Sequence, residues 1–420
     1  MNALLFTLLA MLTASAPDGG DRLVRDFREP SRSARPYVWW HWMDGEVSLD
    51  GIRKDLEWMD AVGIAGLQQF DAGGANMPKA AAFKRPYLSE SWKEAFRYAV
   101  KLADSLGMEV GIASAPGWSS TGGPWVSPED AMKKLEWRTL DVEGGRVDIQ
   151  LPELQKITGP YRDIPRKQEH VQVEPYGTDV AVIAVRLRDA DRTMEELGAI
   201  VSVNDADSTI SAAFPRKTMV RALTLRSSVT GSRTRKDAPE APHAFQCSND
   251  GRRWKTVCRL PLSKLEYATV NVPPTKARFF RVKGPGLKSL ELFSVPRIER
   301  VEERNGASVP MDAWKYATPE VPEAFCIKEE NVLDLSAYMS EDGHLSCTLP
   351  QGRWRIWRFG ASLTGKMNHP ASPDATGLEV DKLDPGAWER YFRRYLEMYR
   401  EAAGGMLGHA VPSHRCYLLV

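Results

Sequence analysis

The 420-residue sequence has little cysteine, no long apolar run beyond its N-terminus and no excess of charge. Its formal net charge is +1, so neither nucleic acid nor an anionic membrane surface is expected as a partner. The five cysteines are widely spaced, which fits neither a zinc site nor a dense disulfide framework. Cys247 and Cys258 could face each other across a hairpin, either bridged or as free thiols. The composition does not predict an oligomeric state.

The one apolar run covers residues 3–12, and it is too short to span a bilayer as a helix. It ends in "TASA", which resembles an A-x-A cleavage site, although no Lys or Arg precedes the run. We therefore expect residues 1–16 to be a signal peptide and the protein to be secreted or periplasmic. No other segment is apolar enough to span, so no membrane partner is expected.

Several catalytic motifs are also missing. No G-x-G-x-x-G follows the first predicted strand, and no G-x-x-x-x-G-K-[ST] occurs, which argues against dinucleotide and phosphate binding. "GWSST" is not a nucleophile elbow, because Thr121 stands where glycine is needed. His41 and His369 lack the spacing of a zinc-binding H-E-x-x-H motif.

Tryptophan, by contrast, is as frequent as phenylalanine, with 13 of each. Its flat apolar face and single N–H donor suit both a protein core and stacking on a sugar ring. The stretch "YVWWHW" at 37–42 reads as a strand, which places residues 38, 40 and 42 on one side and residues 37, 39 and 41 on the other. Which side faces a ligand stays open.

Residues 34–125 alternate between strand and helix patterns. "RPYVWWHWM", "IAGLQQFD" and "MEVGIASAPGW" read as strands, and "SLDGIRKDLEWMDAVG" and "SESWKEAFRYAVKLADSLG" read as amphipathic helices. This rhythm predicts a parallel sheet, either a barrel or a doubly wound sheet. "SPEDAMKKLEW" is interpreted as a further short helix that begins after Ser127.

The rhythm changes after this region and later resumes. Residues 138–350 contain short alternating runs separated by turns, which predict an inserted β-sandwich. "GRWRIWRFGASLTG" is interpreted as the fourth strand of the α/β domain, followed by the helix "DPGAWERYFRRYLEMYREAAGG" and a fifth strand, "RCYLLV". The predicted domains are therefore residues 25–137 and 351–420 for the α/β part and residues 138–350 for the insertion.

Ligands of parallel α/β folds bind at the carboxyl ends of the strands, so candidate residues were sought there. The strand-end loops are rich in Trp, Gly, Asn, Asp and Ser, which suits recognition of a polyol. The candidate substrate-binding residues are Trp40, His41, Asp71, Trp118, Asn368, Glu379, Asp381 and Lys382. His41 is equally consistent with a core histidine, Asp71 with a turn cap, and residues 379–382 with a solvated loop.

Three blocks resemble glycoside hydrolase family 106, the α-L-rhamnosidases. They are "RPYVWWHWMDGEVSLDGIRKDLEWMDAVGIAGLQQFDAG", "GWSSTGGPWVSPEDAMKKL" and "FGASLTGKMNHPASPDATGLEVDKL". Within the insertion, "AFQCSNDGRRWKTV", "ARFFRVKG" and "KSLELF" resemble a discoidin-type, galactose-binding-like jelly roll. The sequence departs from the family at Ala113 and Ser114, where many relatives carry His-Asn.

The resemblance implies a (β/α)8 TIM-type barrel, of which about the first five strands are present, with an inserted β-sandwich. It implies hydrolysis of terminal α-L-rhamnosides of plant or microbial polysaccharides with inversion, assisted by calcium whose ligands are not predicted. The catalytic carboxylates are expected beyond Val420, so this chain is expected to be an inactive, poorly folded fragment. The alternatives are a non-catalytic carbohydrate-binding protein and a barrel glycosidase of another specificity.

Overall fold

The structure is a computed structural model that describes residues 19–74, 84–166, 172–231, 241–304, 317–408 and 413–415. The chain divides into two compact units, and each is described by itself. The first unit comprises Met1–Asp130 and Met367–Val420, and the second comprises Ala131–Lys366. The predicted signal peptide and residues 416–420 of the predicted fifth strand lie outside the described residues.

The helices are α1 Gly19–Arg28, α2 Leu49–Ala61, α3 Glu90–Ser105, α4 Val301–Arg304 and α5 Pro385–Ala402. The strands are β1 Tyr37–Met43, β2 Gly66–Ala72, β3 Glu109–Ala113, β4 Lys133–Gln150, β5 Gly177–Arg186, β6 Ile200–Asn204, β7 Thr209–Ser227, β8 His243–Ser248, β9 Lys255–Leu260, β10 Tyr267–Lys283, β11 Leu287–Phe293, β12 Val332–Asp334, β13 His344–Leu363 and β14 Ser413–Arg415.

The first unit contains a parallel sheet in the order β1-β2-β3-β14. The alternation of strands and helices from β1 to β3 confirms the parallel sheet predicted from the sequence. Residues 413–415 form a strand beside β3, and Arg415 is the part of the predicted strand "RCYLLV" that the structure describes. Four parallel strands are seen among the described residues, so the (β/α)8 barrel stays a prediction.

Local signals explain where the helices of this unit begin. The Ser48 hydroxyl accepts a hydrogen bond from the Gly51 amide at 3.0 Å at the start of α2. At the start of α3 the Ser89 hydroxyl accepts a hydrogen bond from the Trp92 amide at 3.3 Å. Asp384 caps α5 with two backbone amides, and Pro385 occupies the first helical position, where its missing N–H costs nothing.

The second unit contains two antiparallel sheets. One has the order β11-β7-β10-β8-β9, with β6 paired to β7, and the other has the order β12-β5-β13-β4. Each sheet has its own cluster of buried apolar residues. The mixed α/β class with a predominance of sheet is therefore observed, and the sandwich arrangement stays a prediction.

The predicted role of "GRWRIWRFGASLTG" as a strand of the parallel sheet is wrong. It forms part of β13, which pairs antiparallel with β4 from His344↔Gln150 to Leu363↔Lys133. Alternation in β13 buries Trp354 and Ile356 on one face only, as in an antiparallel sheet with a single core side.

This pairing also moves the predicted domain boundaries. Because β4 begins at Lys133 and β13 ends at Leu363, the second unit spans residues 131–366 instead of residues 138–350. The predicted helix after Ser127 is replaced by turns that lead into β4. The sequence "KKLEW" satisfies both a helical and a strand reading, and pairing with β13 decides between them.

Cys247 and Cys258 lie on the adjacent strands β8 and β9, and both are free thiols. The register pairs Cys258 with Phe245 and Cys247 with Lys255, so the two cysteines are not opposite each other. Burial raises the pKa of the Cys258 thiol to about 11. The bridged alternative is therefore not the one observed. No helix in the described parts of the chain has both the length and the apolar character needed to cross a membrane.

Candidate active site

The alternating residues of β1 separate into a buried and an exposed set. Trp40 and Trp42 pack toward α2 and α3 in the large apolar cluster of the first unit. On the other face, Trp39 is 55% exposed and its ring stacks on Phe70 with centroids 6.3 Å apart. The helices therefore decide which side of β1 is buried. They cover the face that carries Trp40 and Trp42, and the face that carries Trp39 is more exposed.

Trp40 and His41, both candidates from the sequence, point to opposite faces. The Trp40 indole N–H donates to Asp55 Oδ2 on α2 at 2.9 Å, so its ring belongs to the helix-side core. The His41 ring packs edge-on against Phe70 at 5.2 Å, and partial burial lowers the pKa of this imidazole. His41 is therefore a neutral ring at pH 7 on the face that also carries Trp39.

Asp71 lies near the end of β2 but its side chain points to the helix face. Its carboxylate accepts hydrogen bonds from Trp92 Nε1 at 2.9 Å and from Gln69 Nε2 at 2.6 Å. Burial raises the pKa of the Asp71 carboxyl to about 7, against the opposing effect of these two hydrogen bonds. Asp71 thus links β2 to α3 and is not open to the strand-end loops.

Two loops meet at the carboxyl ends of β2 and β3. Residues 114–125 follow β3, and residues 367–384 precede α5. Backbone hydrogen bonds join them, including Trp118 N–H to the His369 carbonyl at 2.9 Å. The Gly117 amide also donates to the carbonyl of Asp71 at 2.7 Å, which anchors the first loop to β2. The loops are therefore held to each other and to the sheet largely by main-chain contacts.

Glycine permits this close approach. A Cβ added at Gly377 would lie 2.1 Å from the Gly123 carbonyl carbon, and one at Gly117 would lie 2.6 Å from the Pro370 oxygen. Gly117 also has φ +79°, a conformation that side chains disfavour. The glycines of the "GWSSTGGPW" motif are thus explained by close packing against the second loop.

Asn368 is the organising residue of the second loop. Its amide donates to the carbonyls of Pro116 and Ala375, both at 2.9 Å, and its Oδ1 accepts from the Gly377 amide at 2.9 Å. The side chain is buried and three of its four hydrogen-bonding positions are used. Asn368 therefore positions both loops, and it is not available for direct contact with a sugar.

Glu379 connects the two loops through its carboxylate. Oε1 accepts from the Ser119 hydroxyl at 3.1 Å, and Oε2 accepts from Lys382 Nζ. Glu379 is only 6% exposed, whereas Lys382 is partly exposed. The charged pair therefore has its acid inside the loops and its ammonium at the edge, where it can reach a solvent-side ligand.

Trp118 precedes Ser119 in the first loop and is 52% exposed, so the loop that Glu379 contacts also carries an exposed aromatic ring. Asp381 belongs to the same loop, where its carboxylate accepts from the Leu383 amide at 3.1 Å as a turn cap. The structure therefore brings Trp118, Glu379, Asp381 and Lys382 into one loop pair. It places Trp40 and Asp71 on the helix side of the sheet.

Several residues of this region were not singled out from the sequence. Ser119 joins Glu379 to the first loop and also accepts from the His369 amide at 3.1 Å. Tyr391 and Tyr395 of α5 donate to the carbonyls of Ser114 and Ala113, at 2.7 and 2.9 Å. The only signal for the tyrosines was their place on the buried stripe of α5, which indicates packing and not hydrogen bonding.

The described residues do not form a metal-binding cluster. No group of three or more His, Cys, Asp or Glu side chains within the described ranges is arranged to hold an ion. Glu379 is already matched by Lys382, and Asp71 by two donors on the helix side. The calcium ion that the family resemblance implies therefore stays a prediction, and its ligands are not identified among these residues.

Comparison with known proteins identifies the family of the chain. The family model described as alpha-L-rhamnosidase, glycoside hydrolase family 106, matches residues 28–414. The chain belongs to this family. This confirms the resemblance that the three sequence blocks carry.

Two relatives support the same conclusion. The chain is similar to a solved structure described as a rhamnosidase from Novosphingobium sp. PP1Y, with 34% identity and a TM-score of 0.72 over 90% of this chain. It is also 26% identical over 388 residues to a protein of Formosa agariphila named "Putative beta-glucuronidase". This family 106 chain spans 38% of the first relative's length and 22% of the second's.

Proposed function

We propose that this family 106 chain forms part of an exported α-L-rhamnosidase and that its strand-end loops contact the rhamnosyl residue of the substrate. The observation that carries the proposal is the Ser119–Glu379–Lys382 network beside the exposed Trp118. A sugar needs directional polar partners for its hydroxyls and an apolar surface for its ring face. The loop pair offers both within a few residues.

Each residue has a distinct role in the proposal. The Lys382 ammonium donates to a hydroxyl oxygen of the sugar, and Glu379 holds that ammonium in place. Trp118 provides the surface on which the deoxy-sugar ring and its methyl group pack. Asn368 acts indirectly, because its hydrogen bonds to Pro116, Ala375 and Gly377 keep the two loops together.

The proposed reaction is hydrolysis of terminal α-L-rhamnosides of plant or microbial polysaccharides with inversion. Such a reaction needs an acid and a base carboxyl group about 6.5–9.5 Å apart, with a water molecule between them. We assign neither role to a residue of this sequence. The barrel, calcium assistance and export belong to the same proposal, and no step here is assigned to a metal ion.

Binding of L-rhamnose to the 420-residue protein tests the site, with titration calorimetry as the measurement. Trp118→Ala and Glu379→Gln are each expected to weaken binding at least about tenfold, which corresponds to about 1.4 kcal/mol. Trp58→Ala is the matched control, because Trp58 is 62% exposed on α2, away from the strand ends. Unchanged affinity in both site variants would remove these loops from the proposal.

A panel of aryl glycosides tests the activity. The 420-residue protein is expected to leave them intact, and turnover of an α-L-rhamnoside would show that its own residues supply acid and base. An aryl β-glucuronide belongs in the panel because of the name that the Formosa relative carries. Reading the gene past the codon for Val420 completes the test, since an in-frame acidic continuation favours the enzyme and a stop codon favours a carbohydrate-binding protein.

A further inference from the structure

The four-stranded sheet of the second unit has two unlike faces. On one face, Trp354 and Ile356 of β13 join the buried apolar cluster of this sheet. The alternate residues Arg355, Trp357 and Phe359 occupy the opposite face and are only partly buried. The buried apolar cluster of the sheet includes neither Trp357 nor Phe359, so the core does not account for these two half-buried aromatic rings.

The second face bears a cavity of about 190 Å³. Its aromatic wall is the pair Trp357 and Phe359, whose rings stack with centroids 5.6 Å apart and planes 9° apart. Ile327 adds an apolar side, and Arg297, Arg355 and Asp191 add charged groups. An aromatic wall with a few charged groups is the usual composition of a small-molecule site.

Two of the three charged side chains that line the cavity are paired with oppositely charged residues of the protein. Asp141 holds Arg355 through two hydrogen bonds at 2.6 and 2.7 Å, and Arg188 holds Asp191 through two more at 2.8 and 2.9 Å. The Arg297 guanidinium has no hydrogen bond or ion pair with any described residue. Its Cζ lies over the Phe293 ring, 4.1 Å from the ring centroid. Asp191 and Glu291 attract it at longer range, whereas Arg188 and Arg355 repel it.

Arg297 is also partly withdrawn from water. Its Nε is buried without an acceptor among the described residues. A buried donor that lacks an acceptor is costly, and an anionic ligand with two oxygens matches the fork of a guanidinium. The guanidinium packs over the Phe293 ring, so less conformational freedom is lost when it binds such a group.

We propose that this cavity binds a uronate residue of a carbohydrate, as a site distinct from the strand-end loops of the first unit. The sugar carboxylate pairs with Arg297, and the apolar ring face packs on the wall formed by Trp357 and Phe359. A neutral sugar would leave Arg297 unmatched, and a small carboxylate would leave the aromatic wall uncovered. Both parts of the ligand are therefore required.

Titration of the 420-residue protein with sodium glucuronate and sodium galacturonate tests the proposal, with saturation-transfer NMR to locate the ring. We expect binding of at least one uronate and at least tenfold weaker binding of glucose and of acetate. Glucose binding of equal strength overturns the role of the carboxylate, and acetate binding of equal strength overturns the role of the ring. Absence of uronate binding overturns the whole proposal.

Variants separate the cavity from general charge effects. Arg297→Gln is expected to abolish uronate binding, and Trp357→Leu to weaken it at least tenfold. Arg281→Gln is the matched control, because Arg281 also packs over an aromatic ring, with its Cζ 4.1 Å from the Trp254 centroid, but does not line the cavity. Equal loss in Arg281→Gln and Arg297→Gln overturns the site, and thermal melting of each variant verifies folding. Rhamnose binding of the first unit is unaffected by these changes, so failure here is distinguishable from failure of the proposed rhamnoside site.

Discussion

Trp42 and Trp118 lie in the same unit, one on the helix face of the parallel sheet and one in a strand-end loop. Trp42 is 1% exposed and packs edge-on against Trp92, with ring centroids 5.8 Å apart. Trp118 is half exposed, and its backbone, not its ring, joins the neighbouring loop. The helix face is thus stabilised by packing of aromatic side chains, whereas the loops are held by main-chain contacts and by the hydrogen bonds of Asn368 and Glu379, with the Trp118 ring half exposed.

The same contrast applies to the two buried carboxylates of this unit. Asp71 on the helix face is hydrogen-bonded only to neutral donors, and burial dominates its titration. Glu379 in the loops has a lysine partner. A carboxylate with neutral partners serves packing of the sheet and helix, whereas one with a partly exposed ammonium beside it can serve recognition.

The largest effect is expected from exchanging the two tryptophans for alanine. Trp42→Ala removes a fully buried ring and should lower the free energy of unfolding by about 3–5 kcal/mol. Trp118→Ala removes a half-exposed ring and should lower it by less than about 1 kcal/mol while weakening sugar binding. Urea unfolding measures both, and equal destabilisation by the two changes would contradict the contrast between core and loops.

A smaller effect is expected from the titration of Asp71. Because its folded-state pKa is raised to about 7 from 3.8, the folded state keeps a proton that the unfolded chain loses near pH 4. The resulting stability is complete below about pH 4 and is lost as the pH rises to about 7, by about 2–4 kcal/mol in all. Asp71→Asn should remove this part of the pH dependence, as measured by urea unfolding at pH 5, 6 and 8. An unchanged slope in the variant would assign the titration to another group.

The smallest difference is expected between alanine variants of two glycines that share a positive φ. Gly117 has φ +79° and no room for a Cβ, whereas Gly63 has φ +85° with no atom within 4 Å of the added Cβ. Both alanine variants carry the cost of the left-handed conformation, about 1–2 kcal/mol. Gly117→Ala should lose about 1–3 kcal/mol more, because the loops must separate.

Thermal and urea unfolding compare these two glycine variants, and rhamnose binding gives a second readout. Loss of binding in Gly117→Ala with binding retained in Gly63→Ala would confirm that loop contact positions the site. The same stability in both variants would mean that the loops can move apart at no cost, which contradicts the interlocked arrangement.

Much of the first unit could be predicted from sequence because its signals are local. The helical spacing of Ile52, Leu56 and Met59 predicts the buried stripe of α2, and all three are buried. Asp384 followed by Pro385 predicts the start of α5. The strand β1 follows from its run of β-branched and aromatic residues.

The errors arose where two structures share one local pattern. An alternating strand fits a parallel sheet next to helices and an antiparallel sheet with one core face equally well, so β13 was placed in the wrong sheet. The Ser119–Glu379 contact joins residues 260 positions apart, and no local signal marks it. Asn368 was selected as a residue of a strand-end loop, and only the structure shows that its hydrogen bonds join the two loops.

The sequence by itself determined the helices and strands of the first unit, the alternation of "YVWWHW" and the membership in family 106, because caps, periodicity and motifs are properties of neighbouring residues. Only the tertiary structure decided that Trp40 and Trp42 face the helices, that β13 pairs with β4, and that Glu379 meets Ser119. The physical reason is that burial and long-range pairing depend on which distant segments of the chain pack together. The two faces of a strand have the same period in the sequence, so the pattern alone does not show which face is buried.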